Sequence, residues 1–337
     1  MLANHISHLL LPLVSLLVSS VFAYPTSEAK GARTVAHFPK STWIENIAVR
    51  ANGKLLVTTL LPDAALYQVD PFHPHQKPVL VANFTSATAS GAFGIAELSK
   101  DYFFVATSNW TNNETAQPNT VWKINMAKFD VAPHGKRHIE KVIDISDAGA
   151  LINGVTALDK RAGTLLLGDS NQGCVYALDT VARSYKKVQD HASMKAVPDS
   201  ALQIGINGIH VWNGALYFTN TDQTTLTKVA IAKDGTAAGP YELVATLHTI
   251  VDDLAIGQNG DAYITTGPTN SIELVQPDGS VRRIAGGNAN STLFAGTTAA
   301  QFGRIAGDRT VLYVTTNGGL AAGTFDDGGR VVAVQTR

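Results

Sequence analysis

The sequence predicts an all-β fold, a six-bladed β-propeller with four-stranded antiparallel blades. A segment with a polar start, an apolar run, a turn and a second β-rich run recurs six times along the 337 residues. Its copies begin 45 to 60 residues apart, close to the ~40 to 50 residues that a blade of four short strands needs. The second runs are rich in β-branched and aromatic residues and follow turn residues, which favours strands over helices.

The first residue of each copy is the blade-start residue of this alignment. The six are Glu45, Phe93, Asn153, Asn207, Asp252 and Phe302. The sixth copy lacks a fourth strand after Val331–Val334, whereas Thr34–Phe38 stands alone before the first copy. We therefore expect the N-terminal strand to pair with the last blade, because closing the ring removes the open sheet edges.

The first 23 residues contain no Lys, Arg, Asp or Glu and carry an apolar run from Leu9 to Phe22. This pattern predicts a secretory signal cleaved after Ala23, followed by a single propeller domain over residues 24–337. An N-terminal membrane anchor is the alternative, but the run is shorter than the ~20 residues that a spanning helix needs. We expect a secreted or vesicular glycoprotein with four N-glycosylation sequons, at Asn83, Asn109, Asn113 and Asn290.

Composition excludes several classes of partner. Lys and Arg (26) nearly balance Asp and Glu (27), and no basic stripe is present, so nucleic acid is not an expected partner. No later stretch is long and apolar enough to span a bilayer, so we expect no membrane partner after signal cleavage. The single cysteine, Cys174, lies in an apolar segment and is predicted to be part of the core.

The segments Asn207–Ile209, Leu216–Asn220 and Asp252–Ile256 resemble blade starts of the senescence marker protein and gluconolactonase family of regucalcin-like six-bladed propellers. The resemblance covers the mature chain, and Val311–Leu320 is similar to a fungal secreted branch. It implies one divalent cation, Ca²⁺ or Mg²⁺, on the axis. The residues whose types match the family's ligands are Glu45, Asn153, Asn207 and Asp252.

A closed repeat brings equivalent positions into a ring, and four side-chain oxygens at one level suit a hard cation. The alternative is that Asn-Gly forms tight turns while Glu45 and Asp252 cap strand ends in water. Two departures concern the ring's geometry. Asn46-Ile47 stands where the family has Gly-Pro, and Val251–Asp253 stands where it has Pro-Asp-Gly.

The fungal branch includes hetero-Diels-Alderases that join an o-quinone methide to a sesquiterpene such as humulene. For this chain the resemblance implies a cyclase that binds an apolar small molecule in an axial pocket. Such catalysis needs no nucleophile, only a preformed pocket and a few donors. The predicted pocket residues are Phe93, Phe302 and Trp43, and the predicted catalytic residues are Asn153, Asn207, His210 and Asp252.

Two other functions stay open on the sequence. One is a divalent-metal-dependent lactonase in which Asp252 activates water as a general base, as the resemblance implies. The other is a propeller that binds a small molecule without turnover. The sequence contains no Gly-x-Ser-x-Gly elbow, no His-Glu-x-x-His helix and no phosphate-binding loop between a strand and a helix.

Overall fold

The protein is a ring of six antiparallel sheets. The computed structural model describes residues 31–86, 89–110, 118–133, 138–147 and 149–336. Within these residues, 24 strands form six sheets of four strands each. The predicted six-bladed propeller is confirmed. The predicted signal peptide, residues 1–23, lies outside the described residues.

Each blade runs from an inner strand beside the axis to an outer strand at the rim. Blade 1 contains β2 (Trp43–Val49), β3 (Leu55–Leu61), β4 (Ala65–Val69) and β5 (Val79–Asn83). Blade 2 contains β6 (Gly91–Ser99), β7 (Tyr102–Ser108), β8 (Asn119–Asn125) and β9 (Ile139–Asp144). Blade 3 contains β10 (Ile152–Asp159), β11 (Thr164–Asp169), β12 (Cys174–Asp179) and β13 (Ser184–Asp190). Blade 4 contains β14 (Ile206–Trp212), β15 (Ala215–Asn220), β16 (Thr225–Ile231) and β17 (Ala237–Thr246). Blade 5 contains β18 (Leu254–Ile256), β19 (Ala262–Thr266), β20 (Ser271–Val275) and β21 (Val281–Gly286). Blade 6 contains β22 (Thr297–Phe302), β23 (Val311–Thr316), β24 (Arg330–Gln335) and β1 (Arg33–His37). A short helix, α1 (Met126–Val131), lies between β8 and β9, and 3₁₀ turns occupy Ala192–Met194 and Gly267–Thr269.

Pairing of the two ends of the chain closes the ring. Strand β1 pairs antiparallel with β24, with Arg33 opposite Ala333 and His37 opposite Arg330. The Phe38 amide donates to the Gly329 carbonyl at 2.9 Å just beyond this pairing. The prediction that the N-terminal strand completes the last blade is confirmed.

Glycines allow the inner strands of neighbouring blades to approach closely. A Cβ on Gly94 would lie 2.3 Å from the Asn153 carbonyl oxygen, and one on Gly154 would lie 2.4 Å from the Asn207 carbonyl oxygen. Both Asn-Gly pairs therefore lie inside inner strands, β10 and β14, and not in turns. The turn interpretation of these two dipeptides is wrong.

Threonine hydroxyls link several pairs of neighbouring blades. Thr58 Oγ1 on β3 donates to the Phe93 carbonyl at 2.7 Å. Thr265 Oγ1 on β19 donates to the Thr298 carbonyl at 2.8 Å, and Thr298 Oγ1 donates to the Ile44 carbonyl at 2.8 Å. These bonds satisfy inner-strand carbonyls that have no ladder partner at those positions.

Apolar side chains fill the interfaces between blades. Cys174 is fully buried between blades 2 and 3, packed in one cluster with Phe104, Leu165 and Leu178. Burial raises the pKa of its thiol to about 11, so the thiol stays protonated at neutral pH and is a poor nucleophile. The prediction that Cys174 is a core residue is confirmed.

Arg50, at the end of β2, ties blade 1 to blade 2. Its side chain is 1% exposed. Nη1 donates to Gln68 Oε1 at 2.6 Å, while Nη2 donates to Asp101 Oδ1 and Asp130 Oδ2, both at 2.7 Å. Gln68 lies in blade 1, Asp101 in the β6–β7 turn of blade 2 and Asp130 in α1. Nε also donates to Asp101 Oδ1 at 3.1 Å and Nη1 to Asp130 Oδ1 at 3.0 Å, so each Arg50 nitrogen has a partner across the blade interface.

The Gly154→Ala variant tests the close approach of β10 and β14. The added Cβ would push the strands apart, so we expect the free energy of unfolding to fall by about 1–3 kcal/mol. The matched control is Gly307→Ala, since a Cβ on Gly307 would meet nothing within 4 Å. Urea unfolding of both variants measures the difference. Equal stabilities would contradict the backbone contact.

The Arg50→Met variant tests the interface between blades 1 and 2. It leaves Asp101 and Asp130 without their cation, and we expect a loss of about 1–2 kcal/mol, less than for a fully buried pair, because both carboxylates are partly exposed to solvent. Arg282→Met, at an exposed arginine, is the control and should change stability by less than about 0.5 kcal/mol. Thermal unfolding that shifts equally in both would refute the assignment.

Candidate functional site: the start ring

Six side chains form a ring around the axis where the inner strands begin, and we call this set the start ring. In blades 1 to 4 and 6 each member directly follows the last paired residue before a two-residue break in the inner-strand pairing, as Glu45 follows Ile44, which lies opposite Thr59. In blade 5 the Asp252 amide donates to the Thr265 carbonyl at the equivalent point. The members are Glu45, Phe93, Asn153, Asn207, Asp252 and Thr298.

The sixth member corrects the sequence alignment. Thr297 lies opposite Thr316 and opens blade 6, so Thr298 occupies the position predicted for Phe302. Phe302 lies four residues further along β22, opposite Leu312, with its ring 5.0 Å from that of Tyr263. Phe302-Gly303 resembles Phe93-Gly94 in sequence, whereas the start of blade 6 in the structure is the polar pair Thr297-Thr298. The start ring thus contains one phenyl ring.

The polar start-ring side chains are held by specific contacts. Trp43 Nε1 donates to Glu45 Oε2 at 2.7 Å, and the Trp43 ring lies 6.1 Å from that of Trp110. Asn207 Nδ2 donates to both Asp252 Oδ1 and Thr221 Oγ1 at 2.9 Å, which uses both of its protons. The Asn153 side chain is buried but makes no hydrogen bond with any described residue. Its amide is therefore available to a ligand.

A second polar pair, Asn46 and Asp253, lies one residue after the start-ring members of blades 1 and 5, and the sequence did not predict it. Asn46 Nδ2 donates to Asp253 Oδ2 at 2.7 Å, which joins blade 1 to blade 5 past blade 6. Asp253 Oδ1 also accepts from the Leu254 amide. The signal in the sequence was the replacement, at these two positions, of the glycine that follows Phe93, Asn153 and Asn207.

Three carboxyl groups share this region and have raised pKa values. Burial raises the pKa of Glu45 to about 7, opposed by the hydrogen bond from Trp43 and reinforced by the charge of Asp253. Burial also raises the pKa of Asp253 to about 6. The pKa of Asp252 is raised well above its ordinary value by burial and then by the charges of Glu45 and Asp253. Placing three negative charges here is therefore unfavourable.

The chemistry of these donors fits a hard divalent cation. With its protons engaged, Asn207 has its Oδ1 left to act as a ligand, and the amide of Asn153 is unpaired. Glu45 and Asp252 supply carboxylates whose repulsion a cation would relieve. In the described part of the chain no group of three or more His, Cys, Asp or Glu side chains is placed to hold a metal. A site here would depend on the amides, and it stays a prediction.

Two predicted site residues, His210 and Phe302, lie towards the other end of the inner strands, which we call the end face. His210 comes three residues after Asn207 on β14, about 10 Å further along a strand. It lines a cavity of about 270 Å³ together with Phe302. Burial lowers the pKa of His210 to about 4, so its imidazole is neutral at physiological pH. The structure thus separates these two residues from Asn153, Asn207 and Asp252.

The glycosylation sites differ in accessibility. Asn83 and Asn290 are exposed, while Asn109 is partly buried and accepts a hydrogen bond from Ser90. Asn113 lies outside the described residues. Glycosylation and passage through the secretory pathway stay predictions. Among the helices of the described residues, none has the length and apolar character to cross a bilayer.

Calcium-dependent stability tests the cation prediction. If the start ring binds Ca²⁺, adding it to EDTA-treated protein at 100 times the Kd should stabilise the fold by about 2.7 kcal/mol. Asp252→Asn should remove most of this increase, and Asp278→Asn, in the exposed β20–β21 turn, should not. Thermal unfolding with and without Ca²⁺ or Mg²⁺ measures both effects. An unchanged melting temperature in the wild type would exclude binding of these ions.

Comparison with known proteins gives two sequence relatives. No protein-family model matches the chain. A protein of Phoma sp named "Putative hetero-Diels-Alderase" is 28% identical over 304 residues, 85% of this chain and 86% of its own length. The "Putative hetero-Diels-Alderase asR5" of Sarocladium schorii is 28% identical over 312 residues, 84% of this chain and 77% of its own length.

Solved structures with the same fold have low sequence identity. A luciferin-regenerating enzyme matches with a TM-score of 0.64 and 14% identity, over 90% of this chain and 94% of its own. A calcium-binding regucalcin from Agrobacterium tumefaciens matches with a TM-score of 0.61 and 14% identity, over 93% and 96%. The predicted resemblance is confirmed: the chain is similar in sequence to proteins named hetero-Diels-Alderases and in fold to the regucalcin-like propellers.

Proposed function

We propose that this protein is a cyclase that accelerates a hetero-Diels-Alder cycloaddition between a quinone methide and a sesquiterpene at the start ring. The two named relatives, each aligned over more than four fifths of the chain, support the proposal. The observation that carries it is the amide of Asn153, which has no hydrogen-bond partner among the described residues and neighbours Phe93 in the start ring, with the Trp43–Trp110 pair on the side of blade 1. Such a site has an apolar wall and a free hydrogen-bond donor.

The proposed reaction forms one C–O and one C–C bond from the O=C–C=C unit of the quinone methide and the alkene of the terpene. No atom leaves and no proton is transferred. The protein's contribution is to hold the two reactants in contact and to stabilise the negative charge that develops on the quinone-methide oxygen. Asn153 Nδ2 is the proposed donor to this oxygen.

The other predicted catalytic residues have different roles in this proposal. Both protons of the Asn207 amide are used by Asp252 and Thr221, so Asn207 and Asp252 are positioning residues for the ring. Glu45 positions Trp43 through the indole hydrogen bond, and the Trp43 face stacks on the planar substrate. His210 and Phe302, on the end face, have no role in the cycloaddition.

A divalent cation held by Glu45, Asn153, Asn207 and Asp252 would polarise the same oxygen as a Lewis acid. With a cation bound, Asn153 contributes its amide oxygen as a ligand, and the aromatic wall keeps its function. The Ca²⁺ experiment therefore distinguishes two versions of the proposal, one with a bound cation and one without, and both place the reaction at the start ring.

The assay measures the rate and stereochemistry of cycloaddition of an o-quinone methide, generated in solution, with humulene. We expect the wild type to accelerate the reaction and to give one enantiomer. Asn153→Ala should lower kcat by about 10²-fold, as loss of one preorganised donor does. Gln258→Ala, at an exposed residue on the end face, is the control. A racemic product at the buffer rate would reject the proposal.

The alternative functions predict different outcomes in the same set of proteins. A metal-dependent lactonase would hydrolyse aldonolactones and would lose that activity in Asp252→Asn, because the base is gone. The observation that favours the lactonase is that the start ring contains both carboxyl and amide side chains. A non-catalytic propeller would bind the terpene, seen by calorimetry, without changing either reaction.

A further inference from the structure

The end face has a cavity of its own, separate from the start ring. The inner strands of blades 1 to 4 and 6 surround a space of about 270 Å³. The position three residues beyond the start ring lines it, and there blades 1 and 2 contribute only Ala48 and Ala96. These short side chains leave the space open. Its size approaches the lower limit, about 300 Å³, of typical small-molecule pockets.

Three side chains bring hydrogen-bonding groups to this cavity. The His210 imidazole makes no hydrogen bond with any described residue. Thr156 Oγ1 accepts from the Val211 amide at 3.3 Å, which leaves its own proton free. Gln301 Oε1 accepts from the Phe302 amide at 3.2 Å, which leaves its NH₂ group free. Glu97, Lys160 and Arg304 line the same cavity, so its surface is more polar than apolar, with apolar patches from Ile95, Val155 and Phe302.

The rim of the cavity carries an excess of positive charge. Arg304 reaches from blade 6 to the Val49 carbonyl, at 2.7 Å, and pairs with Glu97 of blade 2. Lys160, in the β10–β11 turn, is exposed and forms no ion pair with any described residue. The Glu97 carboxylate balances the charge of Arg304, so the positive charge of Lys160 is left unbalanced among the residues that line the cavity. An anionic group at the rim would find its partner in Lys160.

We propose that this cavity is a second small-molecule site and that it takes an apolar monocarboxylate. The hydrophobic body packs against Ile95, Val155 and Phe302, and His210 donates to the carboxylate, which lies toward Lys160. A single unpaired lysine matches one carboxylate. The site is independent of the cycloaddition at the start ring.

Calorimetric titration of the full chain with 2-naphthoate tests the site, with the neutral 2-naphthamide as matched ligand. We expect one naphthoate per chain and about three- to fivefold weaker binding of the amide, the range for one partly exposed charge pair. Lys160→Gln should weaken naphthoate by the same factor and leave naphthamide unchanged. Lys233→Gln, an exposed lysine on the same face, should leave both unchanged.

Two further variants locate the binding. His210→Trp should abolish it by filling the cavity, and Asn153→Ala, in the start ring, should retain it. No binding to the wild type would overturn the proposal. So would binding that survives both His210→Trp and Lys160→Gln or that is lost in Asn153→Ala. If His210→Trp does not fold, the comparison of Lys160→Gln with Lys233→Gln on the two ligands still decides the question.

Discussion

Close approach of the inner strands is the constraint on which the rest of this structure depends. Where Gly94 and Gly154 meet the carbonyl oxygens of the next blade, no side chain fits. Threonine hydroxyls then satisfy inner-strand carbonyls across the interface, as Thr58 does for Phe93. The strands have little freedom to shift, because a one-residue slip would move the whole start ring away from the axis. The position of the candidate site follows from this packing.

The ring is not symmetric, and its asymmetry produces the acidic cluster. Blades 2 to 4 have glycine after the start-ring residue, whereas blades 1 and 5 have Asn46 and Asp253, and blade 6, between them, has Ala299. The Asn46–Asp253 hydrogen bond spans this gap. It places a third carboxyl beside Asp252, which contributes to the raised pKa of that group. The bridge between blades 1 and 5 thus also sets the electrostatics of the site.

Much of the fold could be predicted from the sequence because each blade repeats one strand and turn pattern. The number of strands could be predicted from that periodicity, and the closing strand from a segment at the N-terminus that had no partner in the first copy. The start of blade 6 could not be located, since Phe302-Gly303 resembles Phe93-Gly94 while the true start, Thr297-Thr298, lacks an apolar residue. The separation of His210 from Asn207 depends on strand direction, and the Asn46–Asp253 bridge depends on a contact between residues 207 positions apart.

The start ring and the end face differ in charge, and this restricts the chemistry at each of them. The end face carries Lys160, which has no ion-pair partner among the described residues, and the Arg304–Glu97 pair, whereas Glu45, Asp252 and Asp253 lie in or next to the start ring. Negative charge developing on a quinone-methide oxygen beside ionised carboxylates would be repelled. A cycloaddition there requires the carboxyls to be neutral, either protonated, as the raised pKa values of Glu45 and Asp252 favour, or paired with a cation. The cation and the proton are thus two solutions to one electrostatic requirement, and neither changes the role of the aromatic wall.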